Sequence, residues 1–186
     1  KRQHADGVLT ISDGIIDITK SYEGLEGLQV IINNGDISIV SSDDGINSTA
    51  TSGQGIVIDG GNLYILAGGD GLDSNSRTAY SGIVFKGGKT VVISTSGGNS
   101  AIDTEAGYTY TSGSVLAIMP NGGMTSEATH CSNFSSVAKK ISMSLSSGKT
   151  LTVSVSNSAI LSVKIPCNLS AIVIYLGSTS ANISLN

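Results

Sequence analysis

The strongest constraint on this chain is that it repeats itself. Leu9-Thr10-Ile11-Ser12-Asp13-Gly14-Ile15-Ile16-Asp17-Ile18 precedes Glu23-Gly24-Leu25-Glu26. The same alternation returns around Gly35, from Val30 to Ile39, and precedes Asp44-Gly45-Ile46-Asn47. It returns around Gly61, from Ile56 to Ile65, and precedes Asp70-Gly71-Leu72-Asp73. A looser fourth unit runs from Ile83 through Gly88 to Ser100-Ala101-Ile102-Asp103, and a fifth starts at Tyr108 and fades before Met124. The anchoring glycines Gly14, Gly35, Gly61 and Gly88 are 21, 26 and 27 residues apart. Each unit reads as strand, turn, strand, loop and short strand. A repeat of about 20 to 30 residues made only of short strands predicts a parallel β-helix. A leucine-rich repeat would need a Leu framework and an Asn ladder, and the strands of a β-sandwich would not recur with equivalent residues at equivalent places.

In a stack of coils, equivalent residues lie about 4.8 Å apart. The predicted core columns are therefore Leu9, Val30 and Ile56; Ile11, Ile32, Ile58, Phe85 and Tyr110; Ile16, Ile37 and Leu63; Ile18, Ile39 and Ile65; and Leu25, Ile46, Leu72 and Ile102. Insertions at Ser48 to Gln54 and Ser74 to Ser81 account for the uneven period. From Val137 the pattern changes to simple alternation, with Ser146-Ser147-Gly148 predicted as a hairpin turn between Ile141–Leu145 and Leu151–Val155. The expected organisation is one all-β domain, with residues 1–125 as parallel coils and residues 126–186 as antiparallel strands covering a side or an end. Such cover is expected because an uncapped β-helix exposes sheet edges.

Composition agrees. The 24 glycines against 2 prolines, with 13% charged and 39% hydrophobic residues, exclude a disordered chain and collagen. The net charge of −4 argues against a nucleic-acid partner, and no apolar run reaches the length of a membrane-spanning helix. The chain opens abruptly on Lys1-Arg2. Cys131 and Cys167 read either as one disulfide of a secreted protein or as two free buried thiols. Asn47, Asn133, Asn168 and Asn182 each begin an Asn-X-Ser/Thr triplet, a glycan site in a source that glycosylates secreted proteins.

The chemistry gathers at one corner of the repeat. Glu23, Asp44 and Asp70 fall in one column, with Ser100 next and Asp43 beside it. Glu26, Asn47, Asp73 and Asp103 fall in the column three residues on. Carboxylates about 5 Å apart repel by roughly 0.8 kcal/mol in water, and by several times that at lower dielectric. Such a tier is either a solvated acidic face or a site for a cation. Calcium takes six to eight oxygens in loose geometry, and Asp-Gly-X-Asp/Asn supplies oxygens with a sharp turn. Zinc is not indicated, since His4 and His130 are the only histidines.

Several strings carry a family resemblance. These are His4 to Gly14, Lys20-Ser21-Tyr22-Glu23-Gly24-Leu25-Glu26-Gly27, Asp43-Asp44-Gly45-Ile46-Asn47, and Asp70-Gly71-Leu72-Asp73-Ser74-Asn75. They resemble the secreted bacterial carbohydrate-binding β-helix proteins, closely over residues 4 to 125 and more weakly through the C-terminal strands. The resemblance implies a right-handed parallel β-helix similar to polysaccharide lyases. It also implies calcium at Glu23, Glu26, Asp43, Asp44, Asn47, Asp70, Asp73 and Asp103, and binding of plant cell-wall polysaccharide, cellulose or polygalacturonate, without cleavage, outside the cell or at its surface. Lys1-Arg2-Gln3 stands where that family has a further Asp-Gly-Ile coil, so coils upstream of His4 are expected.

Three function classes follow. In a carbohydrate binder, bridging calcium would hold an anionic uronate, with Tyr22, Lys20 and Tyr80 as sugar contacts. Tyr64, Tyr108 and Tyr110 are the other aromatic candidates, although Tyr110 falls in a core column. The alternative is a structural extracellular protein joining end to end into fibres or a surface layer. A lyase would need a Lys or Arg base near calcium-held uronate, and only Lys20, Lys86, Lys89 and Arg77 lie in the coils.

Overall fold

The computed structural model describes residues 3–122 and 124–186; Lys1 and Arg2, and with them most of the expected departure at the start, lie outside the described residues. The first coil comprises β1 (Gln3–Ile11) and β2 (Ile15–Ser21), and the second β3 (Leu25–Ile32) and β4 (Asp36–Ser41). The third comprises β5 (Ile46–Ser48), β6 (Ile56–Ile58) and β7 (Asn62–Ala67), and the fourth β8 (Leu72–Ser74), β9 (Ile83–Phe85) and β10 (Lys89–Ser94). The fifth comprises β11 (Ile102–Thr104), β12 (Thr109–Tyr110) and β13 (Ser114–Pro120). A one-turn 3₁₀ helix, Glu127–Thr129, and a short helix, Phe134–Val137, lead to β14 (Ala138–Leu145), β15 (Thr150–Val155), β16 (Ser158–Lys164), β17 (Leu169–Leu176) and β18 (Asn182–Leu185).

The coils stack in parallel into a β-solenoid. One sheet runs β11-β8-β5-β3-β6-β9-β12 with β1 paired to β3, and the facing sheet starts β2-β4-β7-β10-β13. The predicted columns are the observed registers: Ile11 pairs with Ile32, Ile32 with Ile58, Ile58 with Phe85 and Phe85 with Tyr110. Leu25, Ile46, Leu72 and Ile102 pair in succession, as do Ile18, Ile39 and Ile65. These side chains fill the space between the two sheets. β3 is a single strand, whereas the later coils divide it into two short strands around inserted loops.

Glycine sets how closely coils approach. Gly61 has φ 85°, and a Cβ there would lie 2.6 Å from the Gly35 carbonyl oxygen. Only a residue without a Cβ meets both conditions cheaply.

The second half of the chain departs from the predicted hairpin. β17 adds antiparallel to β13, and β14 adds antiparallel to β17, completing the second sheet. β15 pairs instead with β16 and β18 in a separate three-stranded sheet. The Ser146-Ser147-Gly148 turn is thus a crossover between sheets, with the Gly148 N–H donating to the Ile165 carbonyl. The three-stranded sheet packs on the outer face of the second sheet. Leu151, Val153, Leu161 and Val163 meet Val91, Ile93, Leu116, Ile118 and Val173 in a second apolar layer. Both expected forms of cover are present, an antiparallel extension at the β13 end and a sheet over one side.

The two cysteines are free, so the disulfide reading is corrected. Cys131 is buried within the coils, paired beside Tyr108, with its thiol donating to Asn133 Oδ1 (3.2 Å). Cys167 lies in the β16–β17 connection, in a cleft with Val40 and Leu66 on the outer side of the second sheet. The sheet stands between them.

Candidate functional site

The acidic corner follows β4 and β7 and leads into β5 and β8. Backbone N–H groups of Gly24, Gly45 and Gly71 donate to the carbonyls of Asp44, Asp70 and Ser100 on the next coil. This fixes each Asp-Gly turn above its neighbour. A Cβ on Gly71 would strike the Val92 side chain and lie 2.6 Å from the Ala101 carbonyl oxygen, so the turn holds glycine for packing. The acidic residues stand one before and two after it, with Leu72 between them buried in the core.

Two rows result. In the first, Glu23, Asp43 and Asp44 each bring an oxygen within 4.8 Å of the others. Asp44 Oδ1 accepts from the Asp70 N–H (2.8 Å), and Asp70 Oδ1 accepts from the Ser100 N–H (2.5 Å). In the second row Glu26, Asn47, Asp73 and Asp103 pair in strict register on β3, β5, β8 and β11. Asn47 links the rows by donating to Glu23 Oε1 (3.5 Å), while its own Oδ1 is buried without a hydrogen-bond partner. All eight sequence-predicted ligands therefore lie on one corner, but only Glu23, Asp43 and Asp44 converge tightly.

The row also contains a residue that the repeat did not reveal. His4 on β1 pairs with Glu26, its Nδ1 2.9 Å from Glu26 Oε2 and its Nε2 3.1 Å from Asp6 Oδ1. At the other end, Glu127 from the 3₁₀ helix approaches Asp103 and has a buried carboxyl oxygen with no hydrogen-bond partner. Two carboxylates can only accept; a proton on one creates the hydrogen bond between them.

Crowding and burial keep protons on this row. Burial raises Asp70 and Asp73 to about 7, with neighbouring carboxylates adding to the effect. Burial, then the Glu127 hydrogen bond and charge, raise Asp103 to about 8. Asp44 is raised by burial, partly offset by the hydrogen bond it accepts from Asp70. Tyr22, which is 68% exposed, is raised mainly because its hydroxyl donates to Asp43. The eight predicted ligands offer oxygen alone, the chemistry of hard divalent cations, and a cation here would replace protons.

The remaining candidates are dispersed. Tyr80 is exposed at φ 55° and packs edge-on against His130, with ring centres 5.3 Å apart. His130 lines a cleft of about 430 Å³ with Asp103, Glu105 and Glu127. Lys20 lies on β2, and Lys86 pairs with Asp59 (3.1 Å). Tyr108 and Tyr110 are buried, their hydroxyls donating to the Ala128 and Gly113 carbonyls.

A stacked β-solenoid with a polar corner suits a sugar ligand, and a family model supplies the decisive match. The model, described as carbohydrate-binding domain-containing protein, matches residues 4–178. The chain belongs to this carbohydrate-binding domain family. No curated protein and no solved structure matches it. In this carbohydrate-binding domain no helix among the described residues is long and apolar enough to cross a membrane. Of the Asn-X-Ser/Thr positions, Asn168 and Asn182 are exposed, Asn133 is half-buried and donates to the Tyr110 carbonyl, and Asn47 lies within the acidic row.

Proposed function

We propose that this carbohydrate-binding domain works outside the cell, holds calcium at the acidic corner, and binds a plant cell-wall polysaccharide there without cleaving it. The observation that carries the reading is the register of oxygen ligands on consecutive coils, with Asn47 Oδ1 buried among them and unpaired. A buried oxygen without a partner beside clustered carboxylates supports a cation at this position. Glu23, Asp43, Asp44 and Asn47 would hold it first, with Asp70, Asp73 and Asp103 as further oxygens along the stack. Bound calcium would supply positive charge to an anionic sugar such as the uronate of polygalacturonate. Tyr22, exposed beside Asp43, offers a ring to the sugar face. Partly exposed carboxylate sites suit the millimolar calcium affinities typical of extracellular modules. Fibre formation through coil ends is the alternative, and β17 and β14, pairing antiparallel beyond β13, interrupt the parallel stack at that end.

The test is calorimetry on EDTA-stripped protein. The expected result is calcium binding, a raised melting temperature, and polygalacturonate binding that requires calcium. Asp43→Asn/Asp44→Asn removes two charged ligands and weakens calcium and polygalacturonate binding at least about tenfold, and no unsaturated uronate is released. An absence of calcium binding with no change in melting temperature overturns the calcium assignment.

A further inference from the structure

The acidic corner lies where the strands of the second sheet end. A different feature lies where they begin. The three-stranded covering sheet packs over β10, β13 and β17 and reaches Tyr64 and Leu66 of β7, leaving the outer faces of β2 and β4 beside its edge. The step between covered and uncovered strands forms an open groove of about 500 Å³, with Leu161 of β16 on one wall. Asp36, Asn62 and Lys89 cross its floor in register, one per coil. Asn62 Nδ2 donates to Asp36 Oδ1 (2.7 Å), which holds the two side chains side by side. In the adjacent row Asp17 stands two coils from Tyr64, whose half-buried ring lines the same groove.

We propose that this groove is a second carbohydrate site, independent of calcium, which takes a neutral saccharide chain laid across the coils. Carboxylate, amide and ammonium groups about 4.8 Å apart offer alternating acceptors and donors to successive hydroxyls. Tyr64 and Leu161 supply the apolar surface that the C–H faces of a sugar ring require. A mainly apolar pocket with a few placed polar groups is the usual composition of a small-ligand site. Two carboxylates against one ammonium disfavour a uronate here, so the ligand class differs from that of the corner. Asp36 and Asn62 open their strands, whereas the acidic turns follow the last residues, Ser41 and Ala67. At about 3.3 Å per residue the two sites are roughly 20 Å apart. The inference rests on the domain binding carbohydrate and not on the calcium reading.

Calorimetry in EDTA with neutral β-1,4-linked hexaoses of glucose, xylose and mannose tests it. At least one is expected to bind. Tyr64→Ala and the exposed double variant Asn62→Ala/Lys89→Ala should each weaken that binding tenfold or more, the double variant with an unchanged melting temperature. Asp43→Asn/Asp44→Asn should leave it unchanged. The proposal is overturned if no hexaose binds, if binding requires calcium, or if it survives both groove variants. Polygalacturonate binding in calcium, measured on the same proteins, reports the corner separately, so either site can fail alone.

Discussion

Gly61 and Gly53 both adopt positive φ, but their surroundings differ. A Cβ at Gly61 meets the Gly35 carbonyl oxygen at 2.6 Å, whereas a Cβ at Gly53, in the loop between β5 and β6, meets nothing within 4 Å. Gly53→Ala should therefore cost only the left-handed backbone penalty, about 1 to 2 kcal/mol. Gly61→Ala adds overpacking between coils and should cost about 3 kcal/mol or more. Urea unfolding of the two variants checks the difference, and equal losses would remove the coil-spacing explanation. At this scale the sequence was a good guide to register, as for Asn47, Asp73 and Asp103. It failed at His4 for a physical reason. β1 carries a bulge between Ala5 and Val8, so counting back from Leu9 places Ala5, not His4, opposite Glu26. Glu127 was hidden differently: it reaches Asp103 from a 3₁₀ helix outside the repeat.

Among elements, the parallel strands were legible because each apolar column recurs at a fixed place in the coil. The C-terminal strands offered only alternation, and alternation does not name a partner. β14 and β15 flank a turn of hairpin composition, yet they enter different sheets. The covering sheet is not independent of the coils, because its apolar face shares one layer with β10 and β13. Leu151, fully buried in that layer, and Leu72, fully buried between the solenoid sheets, should each cost about 2 to 5 kcal/mol when changed to Ala. Thermal unfolding of Leu151→Ala should remain a single transition. A separate low-temperature step would show that the cover folds by itself.

For the molecule as a whole, the acidic row couples stability to pH. The unfolded carboxylates lose protons near 3.8, whereas folded Asp70 and Asp73 hold theirs to about 7 and Asp103 to about 8. Their contribution to folding is thus complete below about pH 4 and is lost as pH rises through those folded values. Calcium-stripped protein should melt at least about 3 °C lower near pH 8.5 than near pH 5, and saturating calcium should reverse the loss at high pH. Scanning calorimetry at both pH values checks this, and a flat or rising profile in EDTA contradicts it. Asp73→Asn should flatten the slope by removing one titrating member.

The position of the cover limits how such a domain can change length. Solenoids ordinarily grow by duplicating a unit anywhere along the stack. Here a unit copied between β10 and β13 would move Val91 and Ile93 about one strand spacing, roughly 4.8 Å, from Leu116 and Ile118, which share the covering layer with them. A unit copied on the β2 side would leave that layer intact. Growth and shrinkage are therefore polarised, with one half of the stack held at fixed gauge and the other open to duplication.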